Sequence, residues 1–147
     1  MTVLRPGIVL SDRQRKVRLD LTALREFAKR AVSESLKLPP QKNGTLADLP
    51  EVNVVLVSDR RIAAIHKKFM DAPEPTDVIT FHHGEIFISV ETAKRQARSY
   101  GTSLGHELRL YLVHGLLHLH GYDDKTVKGA GEIKRLQERV VTKLVDR

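Results

Sequence analysis

The segment from Leu104 to Asp124 constrains this chain more than any other. Ser103 can cap a helix running from Leu104 to about His120, and Gly121 ends it. The helix is strongly apolar, with Leu112, Val113, Leu116, Leu117 and Leu119 among its residues. Yet it also carries His114 and His118, and an imidazole buried without a partner is costly. The two histidines are four residues apart, so both rings project from one face on adjacent turns. That spacing lets one zinc ion take two nitrogens at ~2.0–2.1 Å. Gly121 follows, free to take positive φ and turn the chain back. Three residues further stands Asp124, placed to close a third position.

The pattern H-x-x-x-H-x-x-G-x-x-D resembles the metzincin frame H-E-x-x-H-x-x-G-x-x-H. One zinc per chain, held by His114, His118 and Asp124, is therefore expected. Three protein ligands with one position left for water is the catalytic arrangement rather than the closed structural one. Asp123 is a neighbouring carboxylate that competes for the third place. His120 lies off the ligand face and reads as a surface or helix-end residue. His66, His82, His83 and His106 read as non-ligands, although a strand end at His82-His83 can border a cleft. Glu107 shares the face of His114, seven residues earlier. It either orients an imidazole or is a solvated glutamate, and the second reading is favoured.

Gly115 departs from the protease frame, which has its general-base glutamate there. A helical glycine also costs ~1 kcal/mol relative to alanine, so a packing or access reason is expected. Peptide hydrolysis without that base is poorly supported. RNA differs because it carries its own nucleophile, the 2′-hydroxyl. Alternatively, a metal can activate a water by lowering its pKa. Lysine and arginine total 25 against 18 acidic residues, a formal net charge of +7. That surplus favours a polyanionic partner. Aromatic residues make up 5% and tryptophan is absent, which argues against a base-stacking platform. Without cysteine there can be no disulfide, thiolate ligand or cysteine nucleophile. No apolar run approaches the ~20 residues that span a bilayer. Met1 to Leu10 has no sustained apolar core, so no signal peptide is expected, and a cytoplasmic protein is the simple reading.

Around the apolar helix, the sequence predicts one domain over residues 1–147. Strands are expected at Gly7–Ser11, Val52–Val57, Asp77–Phe81 and Glu85–Val90. The short His82-His83-Gly84 link makes the last two antiparallel. Helices are expected at Leu19–Leu38 with Asp20 as N-cap, at Asp59 to about Phe69 behind Ser58, at Glu91–Tyr100 closed by Gly101, and at Thr126 to about Val145. The last turns Val127, Ile133, Leu136, Val140 and Leu144 inward and exposes Lys128, Lys134, Arg135, Arg139 and Lys143. Gln41 to Pro50 is a connection. The expected class is α+β, with a mixed sheet of about four strands and about five helices.

The segment HGLLHLHGYDD resembles the signature of the YbeY family of metal-dependent endoribonucleases, H-G-x-L-H-L-x-G-Y-D-H. Residues 75–81, PTDVITF, are similar to that family's P-T-D-V-L-S-F, and residues 84–89, GEIFIS, to its G-D-I-x-I-S. Glu91-Thr92-Ala93 follows as the family pattern has it. The resemblance implies RNA cleavage in maturation of the small-subunit ribosomal RNA 3′ end and in ribosome quality control, with a bound zinc. Two positions depart from it. Asp124 stands where the family has a third histidine. Met70 stands where it has an arginine, with Lys67 and Lys68 within one turn. Arg60, Arg61, Lys67 and Lys68 are either an RNA-contacting face or a solvated one, and Thr76 and Asp77 border the expected cleft. The alternative function is a ribosome-associated RNA-binding assembly factor with little or no cleavage activity.

Overall fold

Both faces of the sheet are apolar, and the strand sequences show why. In β2 (Glu51–Val57), Val52, Val54 and Leu56 join one buried cluster while Val55 and Val57 join another. In β4 (Glu85–Ser89), Ile86 and Ile88 face the first cluster and Phe87 the second. This is the period of two expected of strands covered on both sides. The computed structural model describes residues 5–70 and 77–145. Its sheet has four strands, ordered β1 (Gly7–Asp12), β2, β4 and then β3 (Val78–Phe81). β1 runs parallel to β2 and β2 parallel to β4. β3 pairs antiparallel with β4, with Phe81 opposite Glu85. The α+β class and the mixed sheet of four strands are as the sequence indicates.

Five α-helices surround the sheet: α1 (Leu21–Leu36), α2 (Asp59–Met70), α3 (Val90–Tyr100), α4 (Leu104–Leu119) and α5 (Val127–Val145). Their starts follow local chemistry. Asp20 accepts from the N–H of Thr22, Ser89 from that of Thr92, and Ser103 from that of His106. Gly101 closes α3 at φ 69°. The larger cluster draws on α1, α3, α4 and α5. The smaller one lies under α2, where Ile62 and Ile65 meet Val57 and Ile79. Among the described residues no helix is long and apolar enough to cross a membrane. One inward assignment is overturned: Val127 is 93% exposed. It is the first residue of α5, before the helix reaches the core, so the apolar period begins at Ile133 rather than here.

α4 is packed on nearly every side, and Gly115 is the reason it can lie so close to the sheet. A Cβ there would come within 2.7 Å of the Ile86 side chain. This supplies the packing reason that the glycine's helix cost calls for. Gly115→Ala should therefore destabilise the fold by ~1–3 kcal/mol through overpacking, despite alanine's better helix propensity. Ile86→Ala in the same chain should recover part of that loss, giving a non-additive double-mutant cycle in urea denaturation. A neutral Gly115→Ala would disprove the close packing.

A second tie joins α2 to α3. Asp59 accepts hydrogen bonds from Ser89 Oγ (2.5 Å), Thr92 Oγ1 (2.7 Å) and Arg95 (2.6 Å). Burial alone would raise the Asp59 carboxyl, but these donors outweigh it and hold it below its ordinary value. A carboxylate depressed on folding contributes stability above its unfolded pKa of ~4 and loses it as pH falls through the folded value. Asp59→Asn should thus cost most at neutral pH. The gap from the parent, followed by urea denaturation, should narrow below about pH 4; a constant gap would rule out this linkage.

Candidate metal centre

The site is built on the end of α4, where the last carbonyls of a helix need donors. A strap from the residue 41–45 segment supplies two of them. The N–H of Thr45 donates to Leu119 O (2.6 Å) and that of Gln41 to His120 O (3.0 Å). Gly121, at φ +101°, then turns the chain away. A Cβ on Gly121 would lie 2.5 Å from Gln41 O, and one on Gly44 would lie 2.5 Å from His120 O. The strap and the turn therefore fit only as glycines. Side chains complete the tie. The His120 ring bonds Leu38 O through Nε2 (2.7 Å), and the Tyr122 hydroxyl donates to Pro39 O (2.7 Å). His120 is accordingly buried rather than at the surface, because its ring is the bond that holds the strap. The Gln41–Pro50 connection, which contains a short 3-10 turn at Leu46–Asp48, is part of the site's foundation.

Beyond the turn the two adjacent carboxylates part. Asp123 accepts from the N–H of Lys125 (3.1 Å), a local turn that occupies it. Asp124 points back to the histidines. His114 Nε2 and His118 Nε2 are 2.9 Å apart, and Asp124 Oδ2 lies 3.7 Å from each. The point equidistant from these three atoms lies ~2.0 Å from all of them, the zinc–ligand distance. The donor set, two imidazole nitrogens and a carboxylate oxygen, also suits zinc. Among the described residues this is the one cluster of three such donors, and His66, His82, His83 and His106 do not join it. Asp124 is half exposed, so the site stays open to solvent on that side.

Imidazoles bind a metal in their neutral form. Burial first, and then the adjacent His114 ring, hold His118 below the ordinary imidazole range, against the opposing pull of Asp124. His114 is oriented from across the core. Its Nδ1 lies 2.8 Å from Gln137 Oε1 on α5. An amide oxygen only accepts, so Nδ1 carries the hydrogen and Nε2 is left to bind. Glu107 does not do this. It is buried, not solvated, because α4 is enclosed even at its first turn, and it accepts from Thr102 Oγ1 (2.9 Å). Gln137 escaped the sequence reading because it is 23 residues away and part of no motif. Only its place on an inward stripe of α5 could have signalled it.

A cavity of about 220 Å³ opens beside the cluster, lined by Asp77, Tyr111, His114, Asp124, Lys134 and Gln137, among others. Asp77 lines this cavity together with His114 and Asp124. Burial and then the charge of Asp77 push the Tyr111 phenol well above its ordinary value, so it remains a protonated donor. Thr76 lies outside the described residues, as does the side chain of Met70 at the end of α2. Arg60, Arg61, Lys67 and Lys68 are exposed on α2, across the sheet from α4. Arg61 and Lys68 line a different cavity, of about 410 Å³, with Phe69, Phe81 and Phe87.

Comparison with known proteins bears on this geometry. The family model described as "Endoribonuclease YbeY" matches residues 9–145. The chain belongs to the YbeY family. A YbeY endoribonuclease of Thermus thermophilus is 36% identical over 102 residues, covering 61% of this chain and 73% of that protein. One from Acholeplasma laidlawii is 39% identical over 100 residues, covering 63% and 73%. A solution structure of a Thermotoga maritima protein superposes with a TM-score of 0.62 at 28% identity, covering 93% of this chain and 88% of that one.

If the three donors form the centre, purified protein should carry about one zinc-type ion, and His114→Ala with His118→Ala should remove it. Asp124→Ala should lose it too, Asp123→Ala should keep it, and Asp124→His should restore three neutral-nitrogen ligation. Gln137→Leu should weaken metal affinity ~10–100-fold, the usual cost of losing a ligand's orienting partner. Full metal in Asp124→Ala, measured by elemental analysis, would exclude that carboxylate.

Proposed function

We propose that this chain is a metal-dependent endoribonuclease that holds one zinc ion through His114, His118 and Asp124. In this reading it acts in the cytoplasm on ribosomal RNA, in maturation of the small-subunit 3′ end and in ribosome quality control. The convergence of the three donor atoms beside an open cavity carries the proposal. Membership of a family named for endoribonuclease activity supports the reaction class. A bound divalent ion supplies Lewis acidity toward a phosphoryl oxygen and lowers the pKa of water.

The protein's own residues do the rest. Gln137 orients His114 for one tautomer, and burial favours the neutral form of His118 that binds a metal. Asp77 brings a second carboxylate into the cavity, and we assign it to proton acceptance from the attacking hydroxyl. Position 115 also speaks against peptide hydrolysis. A side chain there would run into Ile86, so a glutamate at that place could not reach the cavity.

A second reading, an RNA-binding assembly factor with little cleavage, is favoured by Met70 in place of the family arginine. A cleavage assay on structured ribosomal RNA separates the two. Product should appear with the zinc-loaded protein, vanish with chelator and return with added zinc. His118→Ala should fall to background. Equal cleavage by metal-free protein would sink the proposal, and tight binding without any product would support the second reading.

A further inference from the structure

We propose that Lys134 holds the substrate phosphate at the metal cavity. The inference rests on the endoribonuclease reading above. Ala130, Ile133, Lys134 and Gln137 all line the cavity, and their spacing makes them one stripe of α5. The stripe is fixed in rotation at both ends. Ile133 is buried in the core, and Gln137 bonds His114. Lys134 is therefore held on the cavity side, one turn before the residue that orients a metal ligand.

Charge gives the reason for a cation here. The described residues lining the cavity include two carboxylates, Asp77 and Asp124, and Lys134 is the one lysine or arginine among them. With the metal's charge offsetting its ligand Asp124, a lysine on the cavity wall adds a second positive group for a phosphodiester that enters beside Asp77. Lysine is a compact point charge suited to a phosphate oxygen. Lys134 is exposed and forms no ion pair or hydrogen bond among the described residues, so its ammonium is available. Of the α2 cations, Arg61 and Lys68 line a different cavity, on the opposite face of the sheet. Arg135 provides an internal comparison. It carries the same charge one residue along but lines another cavity, with Tyr122 and Arg139.

The test uses zinc-loaded protein and a single-stranded 2′-O-methyl RNA, which lacks the free 2′-hydroxyl. Lys134→Ala should weaken binding roughly tenfold or more at low salt, with metal content unchanged. The slope of log affinity against log salt should fall by ~0.7, one phosphate contact on a single strand. Lys134→Arg should retain most of the affinity, and Arg135→Ala should lose much less than Lys134→Ala. On cleavable RNA, Lys134→Ala should show the loss in proportion. Equal effects of Lys134→Ala and Arg135→Ala would overturn the assignment, reducing Lys134 to part of a general field. So would parent-like binding by Lys134→Ala while the parent still cleaves with zinc, and that result leaves the function itself standing. A zinc-loaded parent that neither binds nor cleaves RNA overturns both.

Discussion

Everything in this molecule is arranged around the burial of α4. The helix is apolar on nearly all sides, so it is stable only if it is enclosed, and sheet, α1, α3 and α5 together enclose it. The stripe that carries His114 and His118 is the exception, left half-buried between α5 and the start of β3. A polar pair on an otherwise buried helix has to be satisfied. Here Gln137 meets His114 at 2.8 Å and the two ring nitrogens meet at 2.9 Å, with Asp124 Oδ2 3.7 Å from each. The chemistry of the centre thus follows from where the covering layers stop.

Local signals in the sequence proved legible because they depend on near neighbours. The spacing of His114, His118, Gly121 and Asp124 is fixed by one helix and one turn, and the structure brings those donors together. The caps at Asp20 and Ser103, the glycine at 101 and the antiparallel hairpin of β3 and β4 are likewise decided within a few residues. Long-range relations were not legible. Nothing in the order of strands along the chain says that β4 lies between β2 and β3. Gln137 meets His114 only because α5 folds back along α4. Polar residues enclosed by tertiary packing were misjudged for the same reason. His120 and Glu107 look solvent-facing by residue type, but each is buried against a specific partner in another segment.

The sheet also divides the molecule's positive charge. The basic residues of α2, Arg60, Arg61, Lys67 and Lys68, lie on the face away from the His pair. They sit on a surface apart from the metal cavity. The period of two in β4 shows why there are two surfaces, since Ile86 and Phe87 point to opposite sides. The cavity beside the His pair is lined by α4, α5 and the residues around the start of β3, and its charged groups are Asp77, Asp124 and, from α5, Lys134.

The strap across the end of α4 has a consequence for folding thermodynamics. Asp124 reaches the histidines only after the chain turns at Gly121, and that turn closes against residues 41–45, about 80 positions earlier. The position of Asp124 therefore rests on a long-range contact as well as on the local helix and turn. An ion that binds all three donors selects conformations in which the strap is already closed, so binding and closure are linked and each favours the other. Such an ion would act as a clasp between distant parts of the chain, and its occupancy would report on the integrity of the first third of the sequence although none of its ligands lies there.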